Sequence, residues 1–302
     1  MGAPQNIEII EHRIPTAGSG PYIICEGGDG ALWFCESGAS KIARFDPHRG
    51  TFTEYPLSTP DASPIGIIAA RDGSLWFTQK KANRIGHISL DGQMREFHVP
   101  TANAGPDAIA LGPDGAIWFA ETDADKVGRI TQDGQISEYS EGLRPGARPL
   151  AMIERDGALW FSQAGGSRIG RIDMQGRITD FKIPSEGAQP RAITIHPDGT
   201  LWFVETSANA LGCVFADGRM VEHRVPIDNA SLRGVTVGPD GLLWFTANFS
   251  NQIGAMTTQG ETVAVRDLPT AKSGPRCIMT HSSGRMFYGA FDAGLLGEVR
   301  IS

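Results

Sequence analysis

The stretch Pro113-Asp114-Gly115-Ala116-Ile117-Trp118-Phe119-Ala120-Glu121 decides the fold. Pro-Asp-Gly is turn chemistry, since Pro presets φ and Gly takes left-handed backbone without a steric cost. The apolar, aromatic run behind it is a buried strand. The same reading continues outward in both directions. Ala108 to Leu111, after Pro106, is a short apolar strand ahead of the turn. Glu121 to Asp125 is a polar loop, and Val127-Gly128-Arg129-Ile130 is a third strand. Gln132-Asp133-Gly134 is a hairpin turn, and Ile136-Ser137-Glu138-Tyr139 alternates apolar and polar as a half-exposed fourth strand. No helical periodicity competes with this pattern.

The tryptophans repeat the unit. Trp33, Trp76, Trp118, Trp160, Trp202 and Trp244 are spaced by 43, 42, 42, 42 and 42 residues, and a further 43 reaches Phe287. Four short antiparallel strands at that period are a propeller blade. Seven slots predict an all-β, seven-bladed β-propeller forming one domain over residues 1–302. The seventh repeat, from residue 275, ends after three strands. Ile9-Ile10-Glu11-His12-Arg13-Ile14-Pro15 matches the fourth strand Val221-Glu222-His223-Arg224-Val225-Pro226. The N-terminal strand, about residues 7–15, is therefore expected to complete blade seven and cover its open edge.

Composition narrows the function. Of the 302 residues 38 are Gly and 19 Pro, which fits many turns, and 20% charged residues are too few for a coiled coil or a disordered chain. A net charge of -7, from 27 basic and 34 acidic side chains, disfavours nucleic acid as a partner. No apolar run is long enough for a membrane span, and Met1 to Pro15 has no basic region followed by an apolar one, so no signal peptide is expected. Cys25, Cys35, Cys213 and Cys277 show no paired spacing, which reads as small buried residues in a reducing cytoplasm. A monomer is expected.

The blade pattern resembles that of the virginiamycin B lyase (streptogramin B lyase) family. The carrying residues include Leu75-Trp76-Phe77-Thr78-Gln79, Asn83-Arg84-Ile85-Gly86 and Arg95-Glu96-Phe97-His98-Val99-Pro100, and the resemblance covers the whole chain. It implies a carbon–oxygen lyase that opens a cyclic depsipeptide antibiotic at its ester, by elimination with Mg²⁺ and a His base, and hence antibiotic resistance. The family carries Glu-Pro-His-Gly in its last blade, with Glu a metal ligand and His the base, where this chain reads Gly274-Pro275-Arg276-Cys277. A substrate-contacting His of the sixth blade is matched by Arg233, and the nearest match to a second metal-ligating Glu is Asp292. The family's base and metal-ligand positions are thus replaced.

Strand one is innermost in a propeller, so its opening residues should line one mouth of the central channel. The residues after the opening Pro are Tyr22, Ile65, Asp107, Leu150, Arg191, Arg233 and Arg276, with Leu232 replacing the Pro before Arg233; Arg148 precedes the fourth blade's Pro. Arg191, Arg233 and Arg276 are expected to converge there. Two readings stand side by side. The guanidinium groups form a site for an anionic small molecule or a cyclic peptide, or each pairs with Glu36, Glu121 or Glu205. Those acids occupy one slot with Gln79, Gln163, Ala247 and Ala290. The slot reads as a cap on a neighbouring backbone N–H, or as metal ligands together with Asp292. Asn248, Phe249 and Phe291 would wall the space beside the two alanines. Tyr22 and Asp107 are the candidate proton acceptors, since no histidine falls at the mouth. Three functions follow: a lyase of the family's kind, a propeller lactone hydrolase, and a non-catalytic binder of a small anionic ligand.

Overall fold

The computed structural model describes residues 6–215 and 218–302. They form 28 strands in seven four-stranded antiparallel sheets. Blade three shows the unit: strands Pro106–Leu111, Ile117–Glu121, Lys126–Ile130 and Ile136–Tyr139 are hydrogen-bonded in that order. Blade seven is ordered Ile7–Arg13, Leu295–Ile301, Met286–Ala290, Pro275–Thr280. The N-terminal strand closes the ring with an unbroken register from Ile7↔Ile301 to Arg13↔Leu295. Among the described residues no helix is long and apolar enough to cross a membrane.

Each aromatic of the 42-residue slot packs across a blade boundary. Trp118 is fully buried among Leu159, Phe161 and Ile172 of blade four, and Trp202 among Leu243, Phe245 and Met256 of blade six. Phe287 joins Phe34 and Phe45 of blade one at the ring's closure. The turn aspartate adds a second task. Asp114 accepts from the Trp118 indole N–H at 3.2 Å and pairs with Arg129 at 2.8 Å. The strand-three glycine admits the strand-two phenylalanine: a Cβ on Gly128 would lie 2.1 Å from the Phe119 ring.

A β-bulge at the start of every strand one positions the mouth residues. In blade three the register steps from Pro106↔Glu121 to Ile109↔Phe119, and in blade five from Pro190↔Glu205 to Ile193↔Phe203. Such an irregularity re-aims a side chain, here the residue after the Pro. Threonines fasten the bulges across blade boundaries. Thr246 Oγ1 accepts from Gly234 N at 2.8 Å and donates to the Arg276 carbonyl at 3.4 Å. Thr78 makes the same pair of bonds to Gly66 N and the Asp107 carbonyl.

Candidate functional site at the channel mouth

The bulges bring Tyr22, Asp107, Leu150, Arg191, Arg233 and Arg276 to the rim of one cavity of about 210 Å³ in the central channel. Two residues further along each strand, Ile24, Ile109, Met152, Ile193, Val235 and Ile278 line the same cavity. Two clefts join it. One of about 330 Å³ shares Tyr22, Asp107, Leu150 and Arg191 with it and adds Lys80 and Arg148. The other, of about 680 Å³, shares Arg233 and carries Phe249, which is 74% exposed.

The three arginines sit in different company. Arg191 and Arg233 have no hydrogen-bond or ion-pair partner among the described residues, and the Nε atom of each is buried. Burial pushes the Arg233 pKa down to about 10, the Arg191 and Arg276 charges push the same way, and Tyr22 opposes them. Arg276 is held by aromatic faces, 3.6 Å from the Phe291 ring centroid and 5.4 Å from that of Tyr22. Its carboxylate neighbour, Asp292, is 3.9 Å away and more than half exposed. Tyr22 meets Phe291 edge-on and accepts the Cys277 thiol at its carbonyl at 2.6 Å.

Asp107 is buried, and burial raises its pKa while Lys80 and Arg191 pull it down. Lys80 Nζ donates to it at 2.6 Å and lies 4.0 Å from Asp123, which is 3.6 Å from Arg148.

Several expected residues stand elsewhere. Asn248 donates to the Pro275 carbonyl at 3.1 Å, and neither it nor Phe291 lines the channel cavity. Glu36, Glu121 and Glu205 are fully buried inside their blades and pair with none of the mouth arginines. Each instead meets a carboxylate of its own outer strand: Glu54, Glu138 or Glu222. Burial first, and then that neighbouring charge, pushes each pKa up to about 8. Nor are they the caps. The outer partner caps the backbone, as when Glu138 accepts from Thr101 N at 2.9 Å and Thr101 Oγ1 at 2.7 Å.

The donor set does not fit Mg²⁺. Glu36, Glu121 and Glu205 lie in separate blades, and no group of three His, Cys, Asp or Glu side chains among the described residues is arranged to hold a metal. At blade seven, Gly274 offers no ligand, and a Cβ there would lie 2.2 Å from Asp292 Oδ2. No histidine lines the cavity. His12 is bound to Glu298 at 2.9 Å and His281 to the Gly30 carbonyl at 3.1 Å. The four cysteines are free and buried.

A profile described as the virginiamycin B lyase family matches residues 5–155 and 143–302. A solved streptogramin B lyase superposes with a TM-score of 0.93 over 100% of both chains, at 33% identity. A catalytically inactive histidine-to-alanine virginiamycin B lyase from Staphylococcus aureus, solved with quinupristin, superposes at 0.93 with 31% identity, over 98% of this chain and 100% of that one. The curated virginiamycin B lyase of Saccharopolyspora erythraea is 45% identical over 47 residues, and the match spans 16% of that relative's length.

Proposed function

The chain belongs to the virginiamycin B lyase family, and from that premise we propose that its channel mouth binds a small organic anion on Arg191 and Arg233. One observation carries this reading: two guanidinium groups in consecutive blades line one cavity, with buried Nε atoms and no acceptor among the described residues. A buried donor left unpaired costs about 1–3 kcal/mol, and more when it is charged. Adjacent like charges add repulsion. A bound carboxylate supplies the missing acceptors, and guanidinium groups meet it through paired N–H···O bonds.

The chemistry in this reading is a carbon–oxygen elimination, the reaction implied by the resemblance, carried out with a different base. Asp107 takes the proton α to a carbonyl, the C–H pair forms the new double bond, and the ester oxygen leaves as a carboxylate. Burial makes Asp107 a stronger base than an exposed carboxylate, and Lys80 at 2.6 Å fixes its orientation. No step passes through a metal.

Titration calorimetry with selenate, at low ionic strength, tests the binding site. Arg233→Ala should weaken selenate by about 10- to 150-fold, the loss of one charged hydrogen bond. The same change should leave stability equal or higher, because it relieves repulsion. Equal selenate affinity, or a loss of stability, overturns the reading. A panel of carboxylate-bearing cyclic esters, read by mass spectrometry, tests the chemistry: elimination conserves mass, whereas a lactone hydrolase adds a water. Asp107→Asn should abolish ring opening and spare selenate binding.

A further inference from the structure

Resting on that anion site, we propose that its ligand is amphipathic: the anionic head sits on Arg191 and Arg233, and an apolar tail descends into the channel beneath them. The cavity is layered. Its charged and phenolic side chains all stand at the rim, and the layer two residues further in is the apolar belt of Ile24, Ile109, Met152, Ile193, Val235 and Ile278. That belt lies two residues further along each strand one, beyond the bulge that seats the guanidinium rim.

Small residues leave the well unfilled: Ala108, Ala151 and Ala192 stand between rim and belt in three consecutive blades and line the same cavity, while at the equivalent Gly66 and Gly234 a Cβ would lie 2.5 and 2.9 Å from the next blade's backbone. A channel meant only as packed core would fill that layer with larger side chains, as the interiors of small barrels are filled. Water in an apolar well finds few polar side-chain partners, so an apolar tail displaces it favourably. An inorganic anion uses only the upper half of this site. A carboxylate with a short alkyl or aryl tail uses both.

The test is calorimetric binding of straight-chain carboxylates from acetate to octanoate, with selenate as the head-only probe. Affinity should rise about three- to fourfold per added methylene, then level off once the well is full. Arg233→Ala should weaken every member of the series by the same factor. Ala151→Leu, which fills the well, should leave selenate affinity unchanged and remove the dependence on chain length. Octanoate binding no tighter than acetate, while selenate still binds, overturns the amphipathic ligand and leaves the anion site standing. Failure of selenate itself overturns the anion site and this inference with it.

Discussion

Replacing Glu121 by Gln should free this protein from part of its pH sensitivity. In blade two, Gln79 donates its amide N–H to Glu96 at 3.1 Å. In blade three, Glu121 takes the glutamine's slot and meets Glu138. Glu138 already accepts from Thr101 and from Lys126 Nζ at 3.0 Å, so Glu121 must supply the proton. Burial and the Glu138 charge push its pKa from 4.5 up to about 8. A folded pKa above the unfolded one means that the stabilisation is full below about 4.5 and is lost as pH rises towards 8. Inside that window the folded state holds one more proton than the unfolded state. The slope is then about 1.4 kcal/mol per pH unit for this pair. Glu121→Gln supplies a permanent donor. Its stability relative to the parent should grow by about 1.4 kcal/mol per pH unit, or roughly 2–3 kcal/mol between about pH 5.5 and 7.5. Equilibrium urea unfolding of both proteins across that range measures it. A difference that stays constant with pH, or that shrinks as pH rises, refutes the shared-proton pair.

Deleting the first 15 residues removes the Ile7–Arg13 strand and bares the edge of Leu295–Ile301; the melting temperature should fall sharply, and an unchanged value would contradict the closure. Gly128→Ala should cost more than about 3 kcal/mol, because the new Cβ lands 2.1 Å from the Phe119 ring, and Phe119→Leu in the same chain should recover part of the loss. Streptogramin B should undergo little or no linearisation with or without Mg²⁺, since no histidine lines the cavity, general base catalysis by a histidine of the family's kind is worth about 10²–10⁴-fold, and Asp107 is proposed as the base for smaller, carboxylate-bearing esters; rapid ring opening by mass spectrometry would contradict this.

The six tryptophans and Phe287 carried the blade count in one dimension, and the match between residues 9–15 and 221–226 carried the closure. Six of the seven rim positions were legible too, five from the opening Pro and Arg233 from its repeat register; Ile65 does not line the cavity. Glu121 shows where the sequence reading failed. It lies two residues after Phe119, so strand alternation puts both on one side, inside the blade and against Gly128. That parity was readable, but the slot's position next to the rim drew the glutamates towards the arginines. The bulges were not legible, since the threonine that holds one blade's bulge also bonds the next blade's strand one. Nor was the seat of Arg276, whose guanidinium stacks on Phe291 from the loop that follows the strand Met286–Ala290.

Selenate soaked into crystals grown without other oxyanions gives the most direct view of the site, because selenium scatters anomalously and marks its own position. The strongest anomalous peak is expected within hydrogen-bond reach of both the Arg191 and Arg233 guanidinium groups, above the apolar belt. Peaks confined to surface lysines, or no peak in the channel, would contradict an anion site at this mouth.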